Sequence, residues 1–204
     1  MCIVKRCLER PEIKVLMELL RKSDSEAFVH SCSVAHLTEQ MLNKCKKFED
    51  KKESIIIGAL LHDIGKIFVP FNLTQFPEAL SNNERRIVKV HPAVSCEIVA
   101  PVFDNVVKDI CFLHHERIDG SGYCESYNMS NIPEYVLLVQ TADIYDALTS
   151  TRPYKVSYLH EKAIGIMKKE TKELKADDYY LKLLEDVVED EKQGGTCDEI
   201  NKLQ

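Results

Sequence analysis

No stretch of this chain approaches the roughly 18–20 consecutive apolar residues that span a bilayer, so no membrane-crossing helix is expected. The opening MCIVKRCLERPE meets charge and proline too early for the apolar core of a signal peptide. Both absences point to a cytoplasmic protein without membrane attachment. No Cys-x-x-Cys pair occurs among the eight cysteines, which scatter at positions 2, 7, 32, 45, 96, 111, 124 and 197. Without a secretion signal they read as free thiols, mostly small core residues. Cys111 lies three residues before His114, but core packing explains it better than ligation. Positive charge is not in excess, since 27 Lys and Arg face 33 Asp and Glu, for a net charge of −6. That balance argues against a nucleic-acid polymer as partner. It also means that an anionic substrate needs local cations or metals to overcome the field. Repeats, low-complexity linkers and convincing strand alternation are all missing.

What remains is helix after helix. Residues 12–22 are amphipathic. Residues 25–48 carry Phe28, Val29, Val34, Leu37, Met41 and Leu42 at helical spacing. Residues 53–64 predict a strongly apolar helix that Gly65 ends in a left-handed cap. Residues 67–80, with Pro70 and Pro77, read as irregular. Ser81 to Glu84 spells a capping box for a helix ending near Val90, and Pro92 suits the first turn of the next, which puts His91 at a junction. Further helices are expected over 102–115, 133–150, 158–170 and 177–190, with a polar loop at 116–131 and a frayed tail after Gln193. The expected fold is an all-α, single-domain helical bundle with metal ligands projecting inward. Its parts are a helical segment over 1–24, a catalytic domain over 25–192 and a tail over 193–204.

Five of the seven histidines fall in one pattern: His30 alone, His62-Asp63 in LLHDIGK, His91 opening HPAV, and His114-His115 in LHHERIDGSGY. Asp143 and Asp146 follow in TADIYDALTS. Buried polar side chains are costly unless hydrogen-bonded or metal-bound. Several converging from separate helices is the pattern of a multi-metal hydrolase. Adjacent helical residues diverge by about 100°, so His62 and Asp63 cannot clip one ion together, whereas an aspartate can bridge two. Asp143 and Asp146 share a helix face, as do Glu26 and His30. His36 and His160 match no pattern and read as ordinary histidines.

HSCSV, LLHDIGKIFVP, HPAV, LHHERIDGSGY and ADIYDALTSTRPYK, in this order and spacing, resemble the HD-GYP family, metal-dependent phosphodiesterases acting on cyclic dinucleotides, chiefly cyclic di-GMP. The resemblance runs from about Glu26 to the 170s. It implies that His30, His62, Asp63 and Asp143 hold a first metal, with Asp63 bridging, and that His91, His114 and His115 hold a second. It matches Glu26 to a carboxylate of members with a third metal. Asp146 fits either a third-metal ligand or an acceptor that orients a histidine, the latter being preferred. Lys66 matches a lysine touching the scissile phosphate or bound water. Tyr123, Arg152 and Lys155 match residues that grip the dinucleotide.

Seven ligand side chains, with Asp63 counted twice, leave about four of roughly twelve positions open on two six-coordinate ions, as catalysis requires. Imidazole and carboxylate ligands without thiolate suit iron or manganese. The expected reaction is in-line attack of a metal-bridging hydroxide on cyclic di-GMP, giving pGpG and GMP. The alternatives are hydrolysis of another cyclic or linear nucleotide, or a non-catalytic cyclic di-GMP receptor. Gly120 and Gly122 are expected to let the loop backbone approach the ligand. The chain departs from the family pattern at Cys124, where proline is usual, and at Phe76 and Glu78, where lysine and glycine are usual. Only 24 residues precede Ser25, too few for a sensor domain, so regulation is expected from a partner, from substrate supply or from a region outside this sequence, with a second copy or a regulatory protein as the candidate partner.

Overall fold

The computed structural model describes residues 2–75, 80–123, 132–150, 157–172 and 177–194. Among them every regular element is helical. The order is α1 (Ile3–Leu8), α2 (Pro11–Ser23), α3 (Ser25–Cys45), α4 (Lys52–Leu61), a 3-10 turn (Ile64–Phe68), α5 (Phe71–Gln75), α6 (Asn82–Val88), α7 (His91–Val99), α8 (Asn105–Leu113), α9 (Glu134–Thr149), α10 (His160–Lys172) and α11 (Asp178–Gly194).

Local chemistry sets most helix ends. Asp24 caps α3 by accepting from the Ala27 amide, and Asp104 caps α8 by accepting from the Val107 amide. The Ser81–Glu84 capping box is present in both directions. Helix α3 ends at Lys46, whose φ of 53° is left-handed, so it stops short of residue 48. The predicted helix over 102–115 starts later because Asp104 takes the cap. The stretch read as irregular after residue 67 instead holds the end of the 3-10 turn and helix α5.

Helix α4 is nearly all core: Ile55, Ile56, Ile57, Ala59, Leu60 and Leu61 are buried. A segment hydrophobic all round must be enclosed by neighbours, and α3, α8, α1 and α2 pack on it. The N-terminal segment belongs to the same core through Val4, Cys7, Ile13, Met17 and Leu20. Buried Glu39 of α3 binds it by accepting from the amides of Ile3 (2.6 Å) and Val4 (3.2 Å), which tops the first turn of α1. Within α3, Val29 lies on the exposed side while Val34, Met41 and Leu42 are fully buried.

Gly65 does not cap α4 in a left-handed conformation. It sits inside the 3-10 turn, and a Cβ there would lie 2.2 Å from the His91 carbonyl and 2.7 Å from the Ser95 amide. Its amide donates to Ser95 Oγ at 2.8 Å. The missing side chain thus lets the HDIGK segment touch the start of α7, and so brings Asp63 towards His91.

Candidate metal centre

The ligands come from the ends and middles of five elements. His30 is one turn into α3, His62 and Asp63 follow the last residue of α4, and His91 opens α7. His114 and His115 follow α8, and Asp143 lies in the middle of α9. All are buried except His115, which is half-buried. They converge as two sets whose ligand atoms lie within 4.8 Å of one another: His30, His62 and Asp143, and Asp63, His91, His114 and His115.

Asp63 faces both sets. Its Oδ1 is 3.1 Å from His91 Nε2 and 3.7 Å from His114 Nε2. Its Oδ2 is 3.4 Å from His62 Nε2 and 3.9 Å from His30 Nε2. Lys66 Nζ donates to the same Oδ2 at 2.5 Å.

The backbone fixes the histidine tautomers. His62, His91 and His114 each point Nδ1 at the carbonyl three residues back, those of Ala59, Val88 and Cys111, at 2.8 Å in every case. A carbonyl only accepts, so Nδ1 carries the proton and the Nε2 lone pair of the neutral ring faces Asp63. His91 Nε2 and His114 Nε2 lie 3.1 Å apart. Burial, then the neighbouring His62 and His91, holds the His114 pKa well below its usual value, and burial with His114 and His91 does the same for His115. Among the described residues, His62 Nε2 and Asp63 Oδ1 are buried without a hydrogen-bond partner. Buried lone pairs converging on a buried carboxylate are satisfied by cations, and the donor set fits metal ions.

The first set differs. His30 Nε2 meets Asp143 Oδ1 at 2.9 Å and its Nδ1 meets Asp146 Oδ2 at 2.6 Å. Burial works against a charged ring, but the hydrogen bonds to Asp143 and Asp146 outweigh it and push the pKa up to about 9. Burial likewise opposes ionisation of Asp143, yet His30 holds its pKa far below the carboxylate range. Burial is overcome at Asp63 as well, chiefly by the ammonium of Lys66. Without metal, a proton on His30 thus occupies the place of a cation.

Asp146 binds the ring nitrogen of His30 that faces away from Asp143, the position of an orienting acceptor. Glu26 is half-buried one turn before His30 and belongs to neither converging set. Cys111 packs rather than ligates: its thiol donates to the Leu61 carbonyl at 3.5 Å, and burial pushes its pKa well up. The six described cysteines are all free.

Tyr123 stacks on His115, with ring centroids 4.6 Å apart and planes 22° apart, and Lys89 Nζ sits 4.7 Å from the tyrosine centroid. The ring thus braces a candidate ligand. Gly122 serves the loop's own fold rather than close approach to a ligand, since a Cβ there would lie 2.5 Å from the His115 carbonyl and the Arg117 amide. Asp119 organises the same loop by accepting from the amide and hydroxyl of Ser121. Arg152, Lys155, Phe76, Glu78 and Cys124 lie outside the described residues.

Sequence reading missed two residues. Buried Gln140 donates to the carbonyls of Leu113 (2.8 Å) and Glu116 (3.0 Å), holding both sides of the His114-His115 pair. A buried glutamine in the apolar run YVLLVQTAD was the available signal. Arg117, third in HER-I from His115, lines a cavity of about 270 Å³ that also exposes Asp63, Lys66 and His115.

Residues 14–179 match the family described as HD domain. A cyclic di-GMP phosphodiesterase of Pseudomonas aeruginosa is 31% identical over 162 residues, covering 78% of this chain and 39% of that protein. A 3′3′-cGAMP-specific phosphodiesterase of Vibrio cholerae is 31% identical over 144 residues, covering 70% and 33%. The chain therefore spans about two fifths or less of these relatives' length. The fold is that of a solved HDGYP protein from Bdellovibrio bacteriovorus, with TM-score 0.67, 20% identity and coverage of 92% of this chain and 68% of that one. With its paired ligand sets and a family match that spans all seven candidate ligands, the chain belongs to the HD domain family.

Proposed function

We propose that this chain hydrolyses a phosphodiester bond of a cyclic dinucleotide, cyclic di-GMP foremost, giving pGpG and then GMP. The observation that carries the reading is the split environment of Asp63, with one oxygen towards His91 and His114 and the other towards His62 and His30. That arrangement suits a bridge between two ions. His30, His62 and Asp143 would hold one and His91, His114 and His115 the other, with iron or manganese favoured by the thiolate-free donor set. When bound, such ions supply Lewis acidity towards phosphate oxygens and make water a nucleophile near neutral pH.

The chain's own residues do the rest. The backbone carbonyls of Ala59, Val88 and Cys111 lock three imidazoles in the ligating tautomer. Asp146 orients His30, and Tyr123 braces His115. Lys66 stands at Asp63 with its side chain partly exposed and is proposed to meet a phosphate oxygen. Arg152 and Lys155 are proposed to grip the dinucleotide on the strength of the resemblance. A cytoplasmic location, and a second copy or a regulatory protein as partner, belong to the same reading.

The test is turnover by protein loaded with Mn²⁺ or Fe²⁺ under reducing, anaerobic conditions, with nucleotides separated by chromatography. Cyclic di-GMP converted to pGpG and GMP is the expected result, and none from a fully metallated sample rejects the reading. The 31% identity to a 3′3′-cGAMP-specific enzyme supports a second reading, in which the hybrid ring is preferred. Faster cleavage of that ring would change the substrate and keep the reaction. Tight dinucleotide binding with no product would instead mark a receptor.

A further inference from the structure

Besides the imidazoles of His30 and His115, the cavity beside the ligands is lined by two basic side chains among the described residues, Lys66 and Arg117. Lys66 is committed to Asp63 Oδ2. Arg117 forms no ion pair among the described residues, and its one hydrogen bond is a long contact, 3.3 Å from Nη1 to the carbonyl of its neighbour Glu116. Among the described residues the rest of the guanidinium fork has no partner. A planar five-donor group with no carboxylate partner among the described residues, half-buried in a chain of net charge −6, is an unusual thing to leave in a cavity that Asp63 and Asp143 also line. Ile144 and Leu148 of α9 add apolar surface to its lining.

We infer that Arg117 is a substrate-binding residue that grips a phosphate of the dinucleotide through its guanidinium fork. This rests on the phosphodiesterase reading and adds a residue to it. The pairing chemistry is specific. Guanidinium matches two phosphate oxygens at once, which an ammonium cannot do. The segment is anchored on both sides, by Gln140 at the Glu116 carbonyl and by the Asp119–Ser121 turn, so the arginine is presented from a fixed backbone and loses little freedom on binding. Its place two residues after His115, a member of the second ligand set, puts it in the cavity that Asp63 and His115 also line. The apolar lining from α9 suits the flat face of a base.

The experiment compares wild type, Arg117→Ala and Arg117→Lys, all loaded with Mn²⁺, for KM and kcat on cyclic di-GMP, metal content and melting temperature. Loss of a charge-assisted contact made in both ground and transition states raises KM by about 10- to 100-fold, with a much smaller change in kcat. Metal content and melting temperature stay at wild-type values, and the lysine variant falls between. An unchanged KM overturns the inference. So does loss of metal or of thermal stability in parallel with kcat, which would assign Arg117 to loop packing. If fully metallated wild type turns over no cyclic dinucleotide, the phosphodiesterase reading has failed, and calorimetric titration with cyclic di-GMP judges Arg117 separately. Binding by wild type and not by Arg117→Ala supports the contact, and equal binding, or none by either, rejects it.

Discussion

His30 and Asp146 meet at 2.6 Å through Nδ1 and Oδ2, one helical turn along α9 from the Asp143 oxygen that meets the other ring nitrogen. One imidazole is therefore held between two carboxylates on the same face of a helix, and only one of them shares the converging set of ligand atoms. Asp146→Asn keeps the shape and removes the charge that orients and polarises His30. Metal affinity should fall about 10- to 100-fold, while Asp143→Asn should cost more. Competition against a chelator of known affinity measures it, and equal affinities would remove Asp146 from the centre.

The same residue predicts how metal binding depends on pH. The folded pKa of His30 is raised to about 9, above the ordinary value near 6.5. Its contribution to stability without metal is full below about pH 6.5 and is lost as pH rises through 9. Asp143 is depressed, so its contribution is present above about pH 4 and lost as pH falls further. A metal entering the first set must displace the His30 proton. Affinity there should climb about tenfold per pH unit between roughly 6.5 and 9 and then level off. A flat affinity profile from pH 7 to 9 would mean that His30 is neutral in the metal-free protein.

Asp63→Ala removes the carboxylate that faces both sets and should abolish turnover with loss of metal, and His62→Ala should do the same. Lys66→Ala should lower turnover and leave the metal content intact, because lysine supplies charge and no ligand. A metal-free Lys66→Ala protein would show that its bond to Asp63 organises the centre instead. Stripping metal from wild type should lower the melting temperature by roughly 5–10 °C for each ion held at 100 times its Kd, from about 2.7 kcal/mol of linkage.

Glu26 is the basis for counting ions. Its spacing from His30 puts both on one side of α3, so a third ion with Glu26 as ligand predicts three metals per chain and two after Glu26→Gln. Elemental analysis under saturating supply decides it. Two ions in both proteins would leave Glu26 outside the centre.

Gly65→Ala tests packing alone. The added methyl would meet the His91 carbonyl at 2.2 Å, so the HDIGK segment and α7 must separate. A cost of about 1–3 kcal/mol is expected from overpacking, together with weakened metal binding at His91. Unchanged stability and metal content would show that the contact yields freely.

Much of this was legible in the chain itself. Helical periodicity, the capping signal at Ser81 and the His/Asp dipeptides are local properties, carried by residues at most four apart, and they foretold an all-α protein with a buried polar centre. The role of Gly65 was misread because its reason is a contact across 26 positions, with His91, and not its own dihedral angles. Spacing allowed Asp146 to be a ligand or an orienting group. Only the approach of α9 to α3 put its carboxylate on His30 Nδ1. Arg117 carried no local mark, since an arginine in a polar loop is ordinary until the fold shows it lining a cavity with no carboxylate partner among the described residues. The sequence determined which groups could bind metal, because chemistry belongs to side chains. The tertiary structure decided which oxygen, which ring nitrogen and which cation face one another, because those pairings are made between helices far apart in the chain.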